Sequence, residues 1–226
     1  MGAAVMLMVA TLTTGRFDST NYSDSHARAR IESPPRRIWL QVVPAAPTSR
    51  GVLETMIAAT AAIWAPYDVI VTPIFTLSRP DDRECQWITL ILRRQPANRI
   101  DGKEPRGYRA LASLGFTAAG PDNVMYASLD TARHLVEGAG LGSQPEAVQE
   151  RLAAELLGRA ISHELGHYLL RSAKHSKTGL MKASLGTADV MSRDLGRFRL
   201  LPEQAAALPL AESERCLFHV RAPSSR

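Results

Sequence analysis

The segment from residue 143 to 171 constrains the fold most, because apolar residues recur along it at close to the spacing of an α-helix. Ser143 and Glu146 at its start match a capping box, and Pro145 lies in the permissive first turn. A helix of this length offers the chain a long apolar face around which a core can form. The residues of that face are Val148, Leu152, Leu156, Ile161, Leu165 and Leu169.

The same predicted helix carries the sequence His-Glu-Leu-Gly-His at residues 163–167. Residues four apart lie on one face of a helix, so His163 and His167 can direct two imidazoles at one point. Catalytic zinc sites use three protein ligands with a water molecule in the fourth position, and neutral imidazole is a good ligand. The pattern H-E-x-x-H therefore predicts a Zn2+ site with Glu164 as general base. The competing interpretation is an amphipathic helix that carries these residues by chance.

A third ligand is needed, and His175 is the next histidine along the chain. A turn after the helix would bring its imidazole back to the metal. Carboxylates from the following segment are the alternatives, although none has the sequence context of a known metal-binding motif: Asp189, Asp194 and Glu203. The other histidines are isolated, and either lie in the N-terminal leader or are typical of surface and core positions: His26, His134 and His219.

From about residue 37 onward the chain resembles the metzincin clan of zinc peptidases, which share H-E-x-x-H-x-x-G-x-x-H and a methionine turn after it. The resemblance implies an α+β fold, with a zincin-like mixed, twisted β-sheet, a backing helix and a long active-site helix beneath a cleft. The residues that the resemblance assigns are the zinc ligands His163 and His167, the general base Glu164 and the turn methionine Met181.

The chain departs from the metzincin pattern at two positions. Leu170 stands where metzincins have the glycine at which the chain turns, and Ala173 stands where they have the third histidine. His175 follows two residues later. An insertion of two residues with a wider turn would let His175 reach the metal without that glycine. Met181 follows Gly179-Leu180, six residues beyond His175, where the resemblance places the methionine turn.

Short apolar runs and turn signals predict the other elements. Strands are predicted at residues 37–43, 69–71, 86–92, 111–116 and 124–128, and helices at 49–64, 130–136 and 201–208. Residues 121–123, Pro-Asp-Asn, predict the turn between the last two strands. Three glycines at 138–142 predict a flexible link before the long helix, and the charged segment 94–109 predicts an exposed loop. This order fits one mixed sheet backed by two helices.

Residues 1–36 are predicted to form a signal or flexible leader, and residues 37–226 a single catalytic domain. The apolar run 3–12 has the length of a signal-peptide core. No lysine or arginine precedes it and no clear cleavage site follows, but it favours an exported protein, periplasmic or secreted, over a cytoplasmic one. Cys85 and Cys216 can pair after export or remain separate thiols, and neither lies in a C-x-x-C metal motif.

The formal net charge of +5 comes mostly from arginines scattered along the sequence. No dense basic run with interleaved aromatic residues is present, so we expect no nucleic-acid partner and interpret the charge as a solvated basic surface. No segment approaches the length of a transmembrane helix, so we expect no stable membrane association.

Together these residues predict a zinc metallopeptidase, an endopeptidase that hydrolyses bonds in a peptide or protein substrate. The substrate is expected to add as a strand along an exposed sheet edge within residues 108–128. One alternative is a zinc-bound, non-catalytic module that binds peptides or proteins, and another is a helix without metal. Glu164 argues against the binding module, because a purely structural zinc site closes with four protein ligands and needs no base.

Overall fold

The computed structural model describes residues 35–44, 47–76, 86–93, 110–184 and 192–208. Several features named from the sequence lie outside these residues: the leader up to residue 34, segment 94–109, Cys85, Cys216, Asp189, His26 and His219. Among the described residues, no helix combines the length and the apolar character needed to cross a membrane.

A five-stranded, mostly parallel sheet forms the centre of the described chain. Its strands are β1 (Arg36–Pro44), β2 (Val69–Ile74), β3 (Gln86–Arg93), β4 (Ala112–Thr117) and β5 (Gly120–Ser128). The order across the sheet is β2-β1-β3-β5-β4. β1 runs parallel to β2 and β3, β3 runs parallel to β5, and β4 pairs antiparallel with β5. The five predicted strands are confirmed with shifted ends, and a mixed sheet accompanied by helices agrees with the expected α+β class.

The predicted turn at residues 121–123 is wrong. These residues belong to β5, and the chain turns earlier, between Thr117 and Gly120. The Thr117 hydroxyl donates to the Gly120 carbonyl (3.1 Å) and accepts from the Ala119 N–H (3.2 Å), so it replaces the turn chemistry expected of Pro-Asp-Asn. Gly120 has a φ of +123°, which a residue with a side chain rarely adopts.

Among the described residues, four α-helices accompany the sheet: α1 (Arg50–Trp64), α2 (Leu129–Val136), α3 (Glu146–Leu170) and α4 (Pro202–Ala206). The Ser49 hydroxyl caps α1 by accepting from the Val52 N–H (3.3 Å), and the Ser128 hydroxyl caps α2 by accepting from the Thr131 N–H (3.2 Å). α1 and α3 pack against each other, and the apolar face predicted for α3 supplies Leu156, Ile161, Leu165 and Leu169 to the buried core.

Gly158 lies at a close approach between α1 and α3. A Cβ built on Gly158 would lie 2.5 Å from the Met56 carbonyl oxygen and 2.7 Å from the Ala59 Cβ, so no larger residue fits without a shift. The Thr60 hydroxyl donates to the Gly158 carbonyl across the same contact (3.1 Å). A glycine that weakens an isolated helix therefore permits the packing that holds α3 in place.

The predicted capping box at the start of α3 does not form. Pro145 has an extended backbone (φ −52°, ψ 142°) and is itself the N-cap residue, so Ser143 lies two residues too early for its hydroxyl to cap the helix. The Gln149 side chain instead donates to the carbonyls of Gly142 and Gln144 (2.9 and 2.7 Å). The glycine link before it is an ordered π-helical turn, Glu137–Leu141, in which Gly140 has a φ of +79°.

Candidate metal centre

Three histidines converge where α3 ends. His163 and His167 are buried on one face of the helix, with their Nε2 atoms 3.0 Å apart. His175 lies in the following loop, exposed on one side, and its Nε2 atom is 3.2 Å from that of His167. One ligand atom from each of the three rings lies within 4.8 Å of the other two, so the cluster could bind a metal ion. The structure thus brings together the three histidines selected from the sequence.

Two backbone carbonyls fix the tautomers of the buried histidines. The Nδ1 atom of His163 lies 2.7 Å from the Leu180 carbonyl oxygen, and that of His167 lies 2.7 Å from the Ser172 carbonyl oxygen. A carbonyl oxygen only accepts hydrogen bonds, so both Nδ1 atoms carry hydrogen. In the neutral rings both Nε2 atoms then carry a lone pair and no hydrogen. These two lone pairs face each other across 3.0 Å without a donor between them.

Protonation does not supply that donor near neutral pH. Burial lowers the pKa of His163 to about 4, and the neighbouring rings of His167 and His175 lower it further. Burial also lowers the pKa of His167, with a smaller contribution from His175. A cation bound by the three nitrogens would resolve the conflict, because each lone pair would become a ligand.

The spacing of the cluster fits a small divalent ion. Tetrahedral zinc with typical Zn–N bonds requires ligand nitrogens about 3.3 Å apart, close to the observed 3.0 and 3.2 Å. Oxygen-preferring ions such as Mg²⁺ do not suit a site made of imidazole alone. These two distances and the imidazole donors therefore fit a divalent ion that prefers nitrogen ligands, a class that includes zinc.

The chain turns back towards the histidine cluster at Arg171, one residue later than the glycine position of the metzincin pattern. Leu170 is the last residue of α3, and Arg171 adopts the left-handed conformation with a φ of 47°. That conformation costs a residue other than glycine about 1 kcal/mol. The Ser172 N–H donates to the His167 carbonyl (3.2 Å) and closes the turn. Arg171 thus takes the place of the missing glycine and directs the chain towards His175.

A second turn, directly after His175, holds the loop that carries this residue. The Ser176 N–H donates to the Met181 carbonyl (2.7 Å), and the Leu180 N–H donates to the Arg199 carbonyl (2.8 Å). Gly179 makes this turn possible with a φ of +77°. The Leu180 carbonyl accepts from the His163 ring, so one short segment orients His163 and holds the loop that carries the third histidine.

The Met181 side chain is fully buried against Gly166 of α3. A Cβ built on Gly166 would collide with the Met181 sulfur and would lie 3.7 Å from the Trp64 ring. The sequence left open whether Gly166 marks a close approach or is a tolerated glycine. The structure shows the close approach, because Met181 packs directly against Gly166. A side chain at residue 166 would occupy the space of the Met181 sulfur.

We predict that Gly166→Ala lowers the melting temperature. The added methyl group overpacks the contact with Met181, which typically costs about 1–3 kcal/mol, more than the roughly 1 kcal/mol that alanine adds to helix stability. Gly51→Ala is the matched control, because Gly51 is helical and a Cβ there meets nothing within 4 Å. Thermal unfolding followed by circular dichroism measures both variants. A Gly166→Ala protein as stable as Gly51→Ala would contradict the packing role of Gly166.

Glu164 lies beside the first histidine and faces the strand β4. Its carboxylate is partly buried and accepts a hydrogen bond from the Leu114 N–H. Burial raises the pKa of Glu164 to about 7, and the hydrogen bond from Leu114 opposes that shift. The backbone of β4 therefore holds the carboxylate near the histidine cluster.

β4 lies along the same side of α3 as the histidine cluster. Two residues of α3 at positions i and i+3, which share one side of the helix, and the C-cap residue that follows the helix contact successive parts of the β4–β5 hairpin. Glu164 pairs with Leu114, the His167 ring meets the Phe116 ring edge-on at 6.2 Å, and Arg171 Nη2 donates to the Ala119 carbonyl (2.9 Å). Phe116 and Arg171 were not selected from the sequence, because their role depends on how the hairpin lies over the helix.

The other candidates on described residues have different partners. The Asp194 carboxylate accepts from the Gly196 N–H (2.8 Å), and Glu203 is exposed in the first turn of α4. His134 pairs with Glu137 at the surface (3.2 Å). Tyr168 packs against the hydrophobic core. None of these side chains belongs to the metal-binding group formed by the described residues.

No protein-family model matches the chain, and a search of curated proteins found no match.

Proposed function

We propose that the protein is a metzincin-like zinc endopeptidase. The convergence of the Nε2 atoms of His163, His167 and His175 carries the proposal, because two of them are bare nitrogens that face each other. Three protein ligands are the number used by catalytic zinc sites, whereas structural sites use four. Glu164 supplies a carboxylate directly beside the cluster, which a purely structural site does not need.

The arrangement of elements supports the metzincin part of the proposal. The sheet, the backing helix α1 and the long helix α3 are those that the resemblance leads one to expect. Met181 lies in a turn beneath the cluster, again in agreement with that resemblance. The later turn at Arg171 provides a physical reason why His175 can act as third ligand despite its unusual spacing.

The chemistry divides between the metal and Glu164. Bound zinc would lower the pKa of water and polarise the carbonyl of the bond to be cut. The Glu164 carboxylate accepts a proton from the attacking water and later donates it to the leaving amine. The Leu114 N–H orients this carboxylate, and the Phe116 ring lies edge-on to the His167 ring.

The strand β4 provides a place for the substrate. It is the outermost strand on its side of the described sheet, and it runs beside the histidine cluster. An extended peptide that pairs with such an edge forms backbone hydrogen bonds whatever its sequence. Pairing with β4 would carry the peptide backbone across the cluster, within the region 108–128 expected from the sequence.

Removal and return of zinc test the proposal. We expect the chelated protein to lose cleavage of an unfolded protein substrate and to regain it with stoichiometric zinc. Zinc at a hundred times its Kd should also stabilise the fold by about 2.7 kcal/mol, measured by thermal unfolding. Magnesium is the control, and it should neither restore cleavage nor stabilise the fold. Stabilisation without cleavage would contradict the peptidase in favour of a binding module, and the absence of both effects would contradict the metal site.

A further inference from the structure

The loop that carries His175 has an unbalanced charge. Between Leu165 and Ser184 the sequence contains four basic side chains and no aspartate or glutamate. Three of the four are exposed and the last is partly exposed: Arg171, Lys174, Lys177 and Lys182. Glu164, which directly precedes this stretch, is partly buried and receives a hydrogen bond from Leu114. We call residues 171–182 the basic loop.

Two lysines of the basic loop are close neighbours of His175 in sequence. Lys174 directly precedes His175 and Lys177 follows it by two residues. Consecutive Cα atoms are about 3.8 Å apart, so both lysines branch from the backbone within about 8 Å of the His175 Cα atom, which is one Debye length at physiological salt. A substrate bound beside His175 would therefore lie near the segment that carries both charges.

Arg171 extends the positive charge to the other side of the cleft. Its guanidinium donates to the Ala119 carbonyl (2.9 Å), which fixes the side chain between the end of α3 and the β4–β5 turn. A guanidinium has five N–H donors in a geometry that suits carboxylates, and only one of them makes this hydrogen bond. The acidic side chain on the same hairpin is Asp122, which lies beside Gly115 and accepts from the Asn123 N–H (2.7 Å). The described residues of the hairpin and the basic loop thus carry one carboxylate and four cationic side chains, which gives them a net positive charge.

We propose that this site acts on acidic peptides, which are extended segments with carboxylate side chains near the bond that is cut. The inference rests on the proposed peptidase function and names the substrate class of that site. A peptide along β4 would pass the guanidinium of Arg171 and the ammonium groups of the basic loop. A nucleic acid is the less suitable polyanion, because the basic loop has no phenylalanine, tyrosine or tryptophan on which a base could stack.

The test compares two peptides of one sequence, the first with three glutamates around the cleaved bond and the second with three lysines. We expect the zinc-loaded protein to show a kcat/KM about tenfold higher for the acidic peptide at low salt, and a smaller ratio at high salt. The double variant Lys174→Glu/Lys177→Glu should abolish or reverse the preference.

The matched control is Arg50→Glu/Arg151→Glu, which makes the same change in net charge. Arg50 is the first residue of α1, and Arg151 lies near the start of α3. Both side chains are exposed, and each lies at the end of its helix that is remote from the histidine cluster. The control should keep the preference of the native protein. Equal hydrolysis of the two peptides, or an equal loss in the control and the double variant, would overturn the inference.

A binding measurement separates this inference from the proposed function. The zinc-loaded Glu164→Gln protein is titrated against a fluorescent acidic peptide, and anisotropy should report salt-dependent binding that the lysine double variant weakens. If the native protein cleaves neither peptide but binding follows this pattern, the peptidase proposal fails and the acidic preference stands. Tighter binding of a single-stranded oligonucleotide of equal charge than of the acidic peptide would overturn the preference.

Discussion

Replacement of Glu164 by glutamine is expected to lower kcat by about 10²–10⁴-fold, the usual contribution of a general acid–base group. Glutamine has the size of glutamate, and its oxygen can still accept from the Leu114 N–H. It cannot take a proton from water. We expect zinc content and melting temperature to stay near those of the native protein, so the loss would be specific to the chemical step.

Kinetics on a peptide substrate and metal analysis of the same sample measure this effect. Glu155→Gln is the matched control, because Glu155 lies on the same helix and its ion pair with Arg151 is at the surface, where such pairs contribute little. We expect it to keep full activity. Undiminished cleavage by zinc-loaded Glu164→Gln, and by Glu164→Ala as a second variant, would exclude Glu164 as the base.

Replacement of His175 by alanine is expected to lower zinc affinity by more than about 100-fold, since removal of only a hydrogen-bond partner of a ligand typically costs 10–100-fold. His163 and His167 keep their orientation, because their Nδ1 atoms are held by Leu180 and Ser172. His175 is exposed, so we expect the melting temperature of the metal-free protein to change little. The loss should therefore appear in metal binding and not in folding.

Competition with a zinc chelator of known affinity measures this loss. His134→Ala is the control, because His134 is exposed and pairs with Glu137 away from the cluster. Its zinc affinity should equal that of the native protein. An unchanged affinity in His175→Ala would contradict the three-histidine centre and would favour a third ligand from the carboxylates considered in the sequence: Asp189, Asp194 or Glu203.

The elements that the sequence predicts well are those whose signals are local. The pair His163 and His167 follows from helical spacing alone, and the buried strand β1 follows from a continuous apolar run. Parallel strands covered on both faces produce such runs, and β1 is buried from Ile38 to Val42. The approach of His175 to the other two imidazoles agrees with the expectation from the metzincin resemblance, in which a wider turn compensates for the two extra residues.

The features that the sequence does not predict depend on contacts between distant segments. Arg171 turns the chain without a glycine because Ser172 bonds back to the helix and Ala119 holds the arginine side chain. Phe116 meets His167 only through the position of the hairpin over α3. From the sequence, Gly158 is a residue that destabilises a helix, and only its contact with Met56 shows that it permits the packing of α1 against α3. In each case the decisive partner lies far away along the chain.

The hydrogen bond between Leu180 and the Arg199 carbonyl has a consequence for synthesis on the ribosome. The carbonyl that aligns His163 belongs to a turn that is held by residues about twenty positions further along. A nascent chain that has released α3 but not residue 199 cannot form this hydrogen bond. We therefore expect a metal ion at the proposed site to meet the complete histidine centre only late in synthesis, after residue 199 has emerged.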